Sequence, residues 1–461
     1  MKKYLSLLCA ALMVAVLVGC GETSQSQGGN TSPEQSPPTM GMVSELSKEE
    51  ILGAKDGQVV KKGADGKDVF YTFNPILSED FDKLVEKAKG TEVSFYGWGG
   101  DEDLNNWLDN YYAPRMKEKY DITIKRVPMG IEDILSQMTG ELQAGGIKPV
   151  NENDVSGTID MIWVNGENFA TASESNMLLD YYAWKAPNLE KYMKADSDKV
   201  NFDFGFPIRG REIPYGEAQL VMYSDSAIDA QLPKSTAELM EFAKKHPGKV
   251  TYPALPDFTG SAFVRNVIYD IVGYEQFQTM EPDKAKVKEA IQPALDYLKE
   301  LNPYLWNEGK TFPSSSTQME NMFADGELNF GMSYAAYGVA VNIENQKFKP
   351  TTQTFLFDKG MVGNTNYIAI PINSPNKAGA IVAINEMISP EVQAERFKTL
   401  RTLPVVDYDM LSEDQQKAFD AVDIGKGVLP QDELLSKKLP EMPAKLVPII
   451  EEIWLEEVVG K

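Results

Sequence analysis

The sequence predicts an α/β fold, on three observations. From Thr91 onward, short apolar strand runs alternate with stretches whose apolar residues recur at helical spacing. Several strand runs end in loops dense in glycine, asparagine, aromatic and hydroxyl residues, where open α/β sheets bind ligands. No internal repeat accompanies the alternation, which sets aside a surface adhesin built from β-sandwich repeats.

Lys2 and Lys3 precede an apolar run from Leu5 to Val18, shorter than the ~20 residues of a spanning helix. Leu17-Val18-Gly19-Cys20 closely resembles the lipobox of bacterial lipoproteins. That resemblance implies a leader over 1–19, cleavage before Cys20, and a diacylglycerol on the Cys20 sulfur. Gly21 to Met42 is rich in Ser, Gln, Gly, Thr and Pro, so 20–43 reads as a lipidated cysteine and a disordered tether. Residues 44–90 form an N-terminal extension. In it Ser47-Lys48-Glu49-Glu50 opens a short helix, and Phe81 to Ala88 is an amphipathic one ending at Gly90.

Val93-Ser94-Phe95-Tyr96 is the first strand of the body, turned by Gly97-Trp98-Gly99-Gly100. Leu104 to Tyr120 is helical in pattern, Ile122 to Val127 alternates like a strand, and Ile131, Ile134, Leu135, Met138 and Leu142 share a helical stripe. Ile159 to Val164 reads as a mostly buried strand. Ser235-Thr236-Ala237-Glu238 is a capping box, and Ser389-Pro390 supplies a cap and a first-turn proline for a helix over Glu391 to Leu400.

Composition narrows the function. Of the 461 residues 43% are hydrophobic, enough for two domains with cores. The two cysteines are Cys9, inside the leader, and Cys20, so the mature body has no thiol, disulfide or thiolate metal site. One histidine, His246, excludes a His-pair zinc site. A net charge of −23 argues against nucleic acid as a partner. No cofactor or metal is expected.

The candidate site is assembled from strand-end loops: Trp98 and Gly99; Asn165, Glu167 and Asn168; Tyr215 and Glu217; Phe258, Thr259 and Ser261; Ser333, Tyr334 and Tyr337; Asn364 and Thr365. Aromatic residues with Glu167 and Glu217 suit an organic cation held against ring faces. The Thr259-Gly260-Ser261 helix start suits an anion instead, and aromatic platforms also suit sugars.

Phe95 to Gly100, Asp160 to Phe169, Pro214 to Gln219 and Tyr252 to Phe263 resemble, in order, segments of the family-1 extracellular solute-binding proteins of ABC importers. The match is to the subgroup built around a binding protein of enteric bacteria. Gly363-Asn364-Thr365, Ile368 to Pro371 and Lys377 to Ala380 continue it, so it covers roughly Phe81 to Trp454. The resemblance implies a type II periplasmic-binding fold, two α/β lobes joined by a hinge. Lobe 1 is 91–213 plus 364–400, and lobe 2 is 214–363 plus 401–461. It also implies a small solute, an ABC permease and ATPase as partners, and a monomer at the outer face of the cell membrane, held by its lipid. Sister groups bind polyamines and thiamine. Two rivals are weighed beside it. Glu167 with Glu217 or Asp257 matches the paired carboxylates of a glycosidase. Tyr111-Tyr112 and Tyr181-Tyr182 resemble ferric-iron-gripping pairs, although both lie in lobe 1, the wrong lobe for that role.

Overall fold

The computed structural model describes residues 39–40, 46–145 and 156–460. The leader and Cys20 lie outside the described residues. The expected tether is interrupted at β1 (Thr39–Met40), which runs parallel to β3 (Asp68–Thr72) on the edge opposite β2 (Gln58–Lys62). An unpaired strand edge takes up any extended backbone, so polar composition did not forbid it. The helix Lys48–Leu52 opens with the expected capping box, Ser47 with Glu50. The helix Phe81–Ala88 buries Leu84 and Ala88 as it packs on the helix Lys377–Met387.

The body holds a six-stranded mixed sheet. Parallel strands β4 (Glu92–Gly97), β5 (Thr123–Pro128) and β6 (Met161–Val164) form one side, with β4 central. A small hairpin, β7 (Phe202–Asp203) and β8 (Phe206–Pro207), precedes β9 (Glu212–Gln219). After Leu220 the chain enters a second, antiparallel sheet in which β10 (Val221–Asp225) lies between β11 (Phe330–Ser333) and β12 (Thr352–Phe355). It then returns to the first sheet as β13 (Met361–Ala369), which pairs with β6, β9 and the short β14 (Lys438–Leu439).

These pairings put the sheet changes between Gln219 and Val221 and between Phe355 and Met361. The boundaries expected at 213/214 and 363/364 therefore fall inside β9 and β13. The two strands pair along their length, with a bulge at Asn366/Tyr367, and the hydrogen-bonded ribbon does not break where the motifs change. A third crossing follows the helix Pro390–Leu400, where Leu403 bridges to Glu217. The segment after 400 is shared as well: Glu413–Asp420 packs on Pro390–Leu400, whereas Val447–Trp454 packs on Lys284–Leu301 beside the second sheet.

Helix signals place most helices, with one break. The stretch expected as a single helix over Leu104 to Tyr120 is Glu102–Trp107, a π turn at Leu108–Tyr112, and Ala113–Tyr120. Pro114 has no amide with which to close an ordinary turn at that point. Ile134 and Met138 of the expected stripe are buried with Ile162, Phe169 and Tyr367 in the layer against the first sheet. No described helix is long and apolar enough to cross a membrane.

Candidate functional site

A cleft of about 860 Å³ opens where the two sheets meet, lined from both. One wall is a row of rings from strand ends of the first sheet. Trp98 follows β4, Trp163 is on β6 and Tyr215 is on β9. Their ring centroids are 6.4 Å (Trp98–Trp163) and 6.3 Å (Trp163–Tyr215) apart, each pair edge-on. The facing wall is Phe258, at the start of the helix Phe258–Val272, with Tyr334 after β11, 5.1 Å between centroids. Trp98 is 57% exposed and Phe258 40%, unusual for such large apolar residues, so each offers a bare ring face to the cleft.

Ten of the fifteen residues singled out in the sequence line this cleft. They are Trp98, Asn165, Asn168, Tyr215 and Glu217 on or beside the first sheet, Phe258, Thr259, Ser333 and Tyr334 opposite them, and Asn364 on β13. The other five do not. Gly99 packs so closely on Pro128 that a Cβ there would meet the proline Cβ at 2.4 Å. Glu167 is exposed in the first turn of the helix Gly166–Glu174 and stands outside the cleft lining. Ser261 is buried, donating to Glu451 and accepting from Arg265, both at 2.6 Å. Tyr337 is fully buried against Phe397, 5.6 Å between centroids. Thr365 falls on the far face of β13, because side chains alternate along a strand. Asn364 and Asn366 are therefore the cleft pair.

The charges of the cleft also differ from expectation. Glu217 is buried, and its carboxylate is bound by Lys199 at 2.9 Å and Lys438 at 2.5 Å. Burial alone would raise its pKa; the two ammonium groups outweigh that and hold it at about 2. Glu217 is thus already neutralised, and Glu167 is elsewhere, so neither carboxylate is free to balance a cationic solute in the cleft. The helix start at Thr259 is likewise occupied. Asp257 accepts from the amides of Thr259 and Gly260, at 3.0 and 2.9 Å, so these two amides are not open to an anion. Tyr112 and Tyr182 spend their hydroxyls on the carbonyls of Ala383 and Ile368 inside the core, away from any shared iron position. Sequence patterning missed Trp163, Asn366, Arg396 and Arg401. Alternation along β6 and β13 held the signal for the first two; no local signal marked the arginines.

A family model described as bacterial extracellular solute-binding protein matches residues 111–418. Protein YnjB of Escherichia coli (strain K12) is 33% identical over 380 residues, covering 82% of this chain and 94% of its own. Among solved structures, an ABC transporter from Clostridium perfringens ATCC 13124 covers 79% of this chain and 98% of its own, with a TM-score of 0.55 at 20% identity. The periplasmic binding protein AfuA from Actinobacillus pleuropneumoniae covers 80% and 98%, with a TM-score of 0.52 at 14% identity. Those two likenesses are of fold, the two-lobed α/β fold of periplasmic binding proteins. With the family model spanning well over half its length, the chain belongs to the bacterial extracellular solute-binding protein family.

Proposed function

We propose that this protein is the membrane-tethered solute receptor of an ABC importer, closing on a small solute and presenting it to the permease and ATPase. The observation that carries this reading is the pair of bare ring faces, Trp98 and Phe258, on walls contributed by different sheets. A solute touching both favours the closed arrangement, because only there are both contacts made. The three chain crossings, at Leu220, at 356–360 and near Leu403, are where such a hinge would bend. Ring faces suit a flat or cationic body, and Asp101, Asp103 and Glu320 also line the cleft, so an organic cation survives as a reading without Glu167 or Glu217.

X-ray scattering tests closure. The full chain carrying Cys20→Ala, which keeps it out of detergent, should shrink in radius of gyration when a saturating solute from a metabolite panel is added. Trp98→Ala in that background should need about thirtyfold more solute, since truncating a buried aromatic anchor costs about 2 kcal/mol. A solute that binds without changing the scattering profile would instead indicate a rigid or one-sided site.

The tether rests on the lipobox at Cys20. Two or more acyl chains anchor stably where one holds only marginally. Cys20→Ala should therefore move the protein from the detergent phase to the aqueous phase on partitioning, or leave the leader uncut. Equal partitioning of wild type and variant, with the leader removed from both, would reject the anchor.

A further inference from the structure

Two arginines are buried among the described residues, and they are treated differently. Arg265 lies against the Glu441 carboxylate at 3.2 Å. Arg396, on the helix Pro390–Leu400, is 4% exposed, lines the cleft, and has no carboxylate within ion-pair distance among the described residues. Its Nη1 donates to the Tyr215 carbonyl at 3.0 Å, and the guanidinium lies over the Tyr215 ring, 4.9 Å from its centroid. Its Nε has no partner among the described residues. Burial lowers its pKa from the usual guanidinium value; Tyr215 and Asp101, the groups that oppose this, do not cancel it.

The surroundings are built for this guanidinium. Gly216 stands directly beside it: a Cβ there would come within 2.2 Å of Nη1 and 2.8 Å of Nη2. The Tyr215 carbonyl does not depend on the arginine, since Gln393 also donates to it at 2.9 Å. A buried positive charge without a counter-ion is costly, and a fold keeps one where something arrives to pair with it. A guanidinium fork matches a carboxylate or phosphate with two parallel hydrogen bonds. Elsewhere in the cleft, Glu217 is neutralised by its lysines, so it does not compete for Arg396.

We propose that Arg396 grips an acidic group, a carboxylate or a phosphate, on the imported solute, whose body lies between Trp98 and Phe258. This rests on the solute-receptor reading above and specifies the charge of what is received. The solute is an organic acid, or a zwitterion whose cationic end faces the rings.

Calorimetry on the full chain carrying Cys20→Ala, with four matched probes at millimolar concentration, tests it. Phenyl phosphate and phenylacetate carry the acid; phenylacetamide is neutral and phenethylamine is cationic. At least one acid should bind about tenfold to hundredfold tighter than the amide, the worth of a charge-assisted pair. The better acid tells phosphate from carboxylate. Arg396→Gln should erase the preference, and Arg396→Lys, which keeps charge without the fork, should retain part of it. Because the arginine has no carboxylate partner, and Gln393 still donates to the Tyr215 carbonyl without it, Arg396→Gln should melt no lower than its parent. If the amine or amide binds as well as both acids, or if Arg396→Gln keeps the acid preference, the proposal is overturned. Scattering separates the two readings: a probe that closes the lobes while indifferent to Arg396 refutes the anion subsite and leaves the receptor standing.

Discussion

Glu441→Ala is expected to cost about 3–5 kcal/mol of folding stability, the usual loss when one member of a buried ion pair is removed. Glu441 and Arg265 are both buried, with Nη2 and Oε2 3.2 Å apart. Burial raises the Glu441 carboxyl above its usual value, against the pull of Arg265, so each charge depends on the other. Alanine would leave the guanidinium without its ion-pair partner, held by the Ser261 hydroxyl at 2.6 Å, the Tyr334 hydroxyl, the nearby Glu451 and a ring contact to Phe204. It would also free Tyr334, whose hydroxyl donates to Glu441 at 2.6 Å. Tyr334 is the ring behind Phe258, so the same change should loosen one wall of the cleft. Urea unfolding followed by circular dichroism measures the loss. Arg265→Met with Glu441→Met should recover part of it, because removing both charges leaves neither one stranded. A loss below about 1 kcal/mol in Glu441→Ala would mean that water reaches Arg265 and the pair is not a buried one.

Glu217 and Arg396 show where sequence stops being informative. Local signals sufficed for elements whose cause is local. The caps at Ser47 and Ser389 form, and β4 and β6 lie where apolar runs end in turns. At Ser235 the hydroxyl accepts from the Glu238 N–H, but the Glu238 carboxylate accepts from the Lys234 N–H, so the expected box is half closed. The ring residues Trp98 and Phe258 are legible for the same reason, since strand and helix ends point loops at a common cleft. Charge pairing was not legible. The lysines that neutralise Glu217 come from positions 199 and 438, and the space that holds Arg396 is left by Gly216 on another element. No spacing rule links residues so far apart, so an acidic loop and an already neutralised one read alike. Tyr337 failed differently. It follows the cleft residues Ser333 and Tyr334 in sequence, but the turn into the helix Gly338–Glu344 aims it at Phe397 and the core. Thr365 and Asn366 are a case where the signal existed: strand alternation selects Asn366 once Asn364 is placed on the cleft face.

Acid should reveal what the Glu217 cluster does. Glu217 sits on β9 just before the chain changes sheets, and its backbone bridges to Leu403 on the third crossing. Lys438 comes from β14, and Lys199 also holds the Val405 carbonyl at 2.7 Å and Asp407 at 2.8 Å. One carboxylate thus ties three chain segments at the point where the two sheets join. Against burial, Lys438 and Lys199 bring its pKa from the ordinary 4.5 to about 2. A carboxyl whose folded pKa is depressed contributes stability above its unfolded pKa and loses it as pH falls toward the folded value. The shift corresponds to roughly 3 kcal/mol. Glu217→Gln, which keeps the shape and removes the charge, should therefore be less stable than wild type by about that amount at neutral pH. The gap should begin to close near pH 4.5 and vanish near pH 2. Urea midpoints of both proteins across that range measure it. A gap independent of pH would assign the loss to packing rather than charge, and a gap that widens in acid would mean that Glu217 is held protonated in the folded protein. If the cluster also sets the hinge, wild type in acid and Glu217→Gln at neutral pH should share a broadened scattering profile without solute, because the same tie is cut in both.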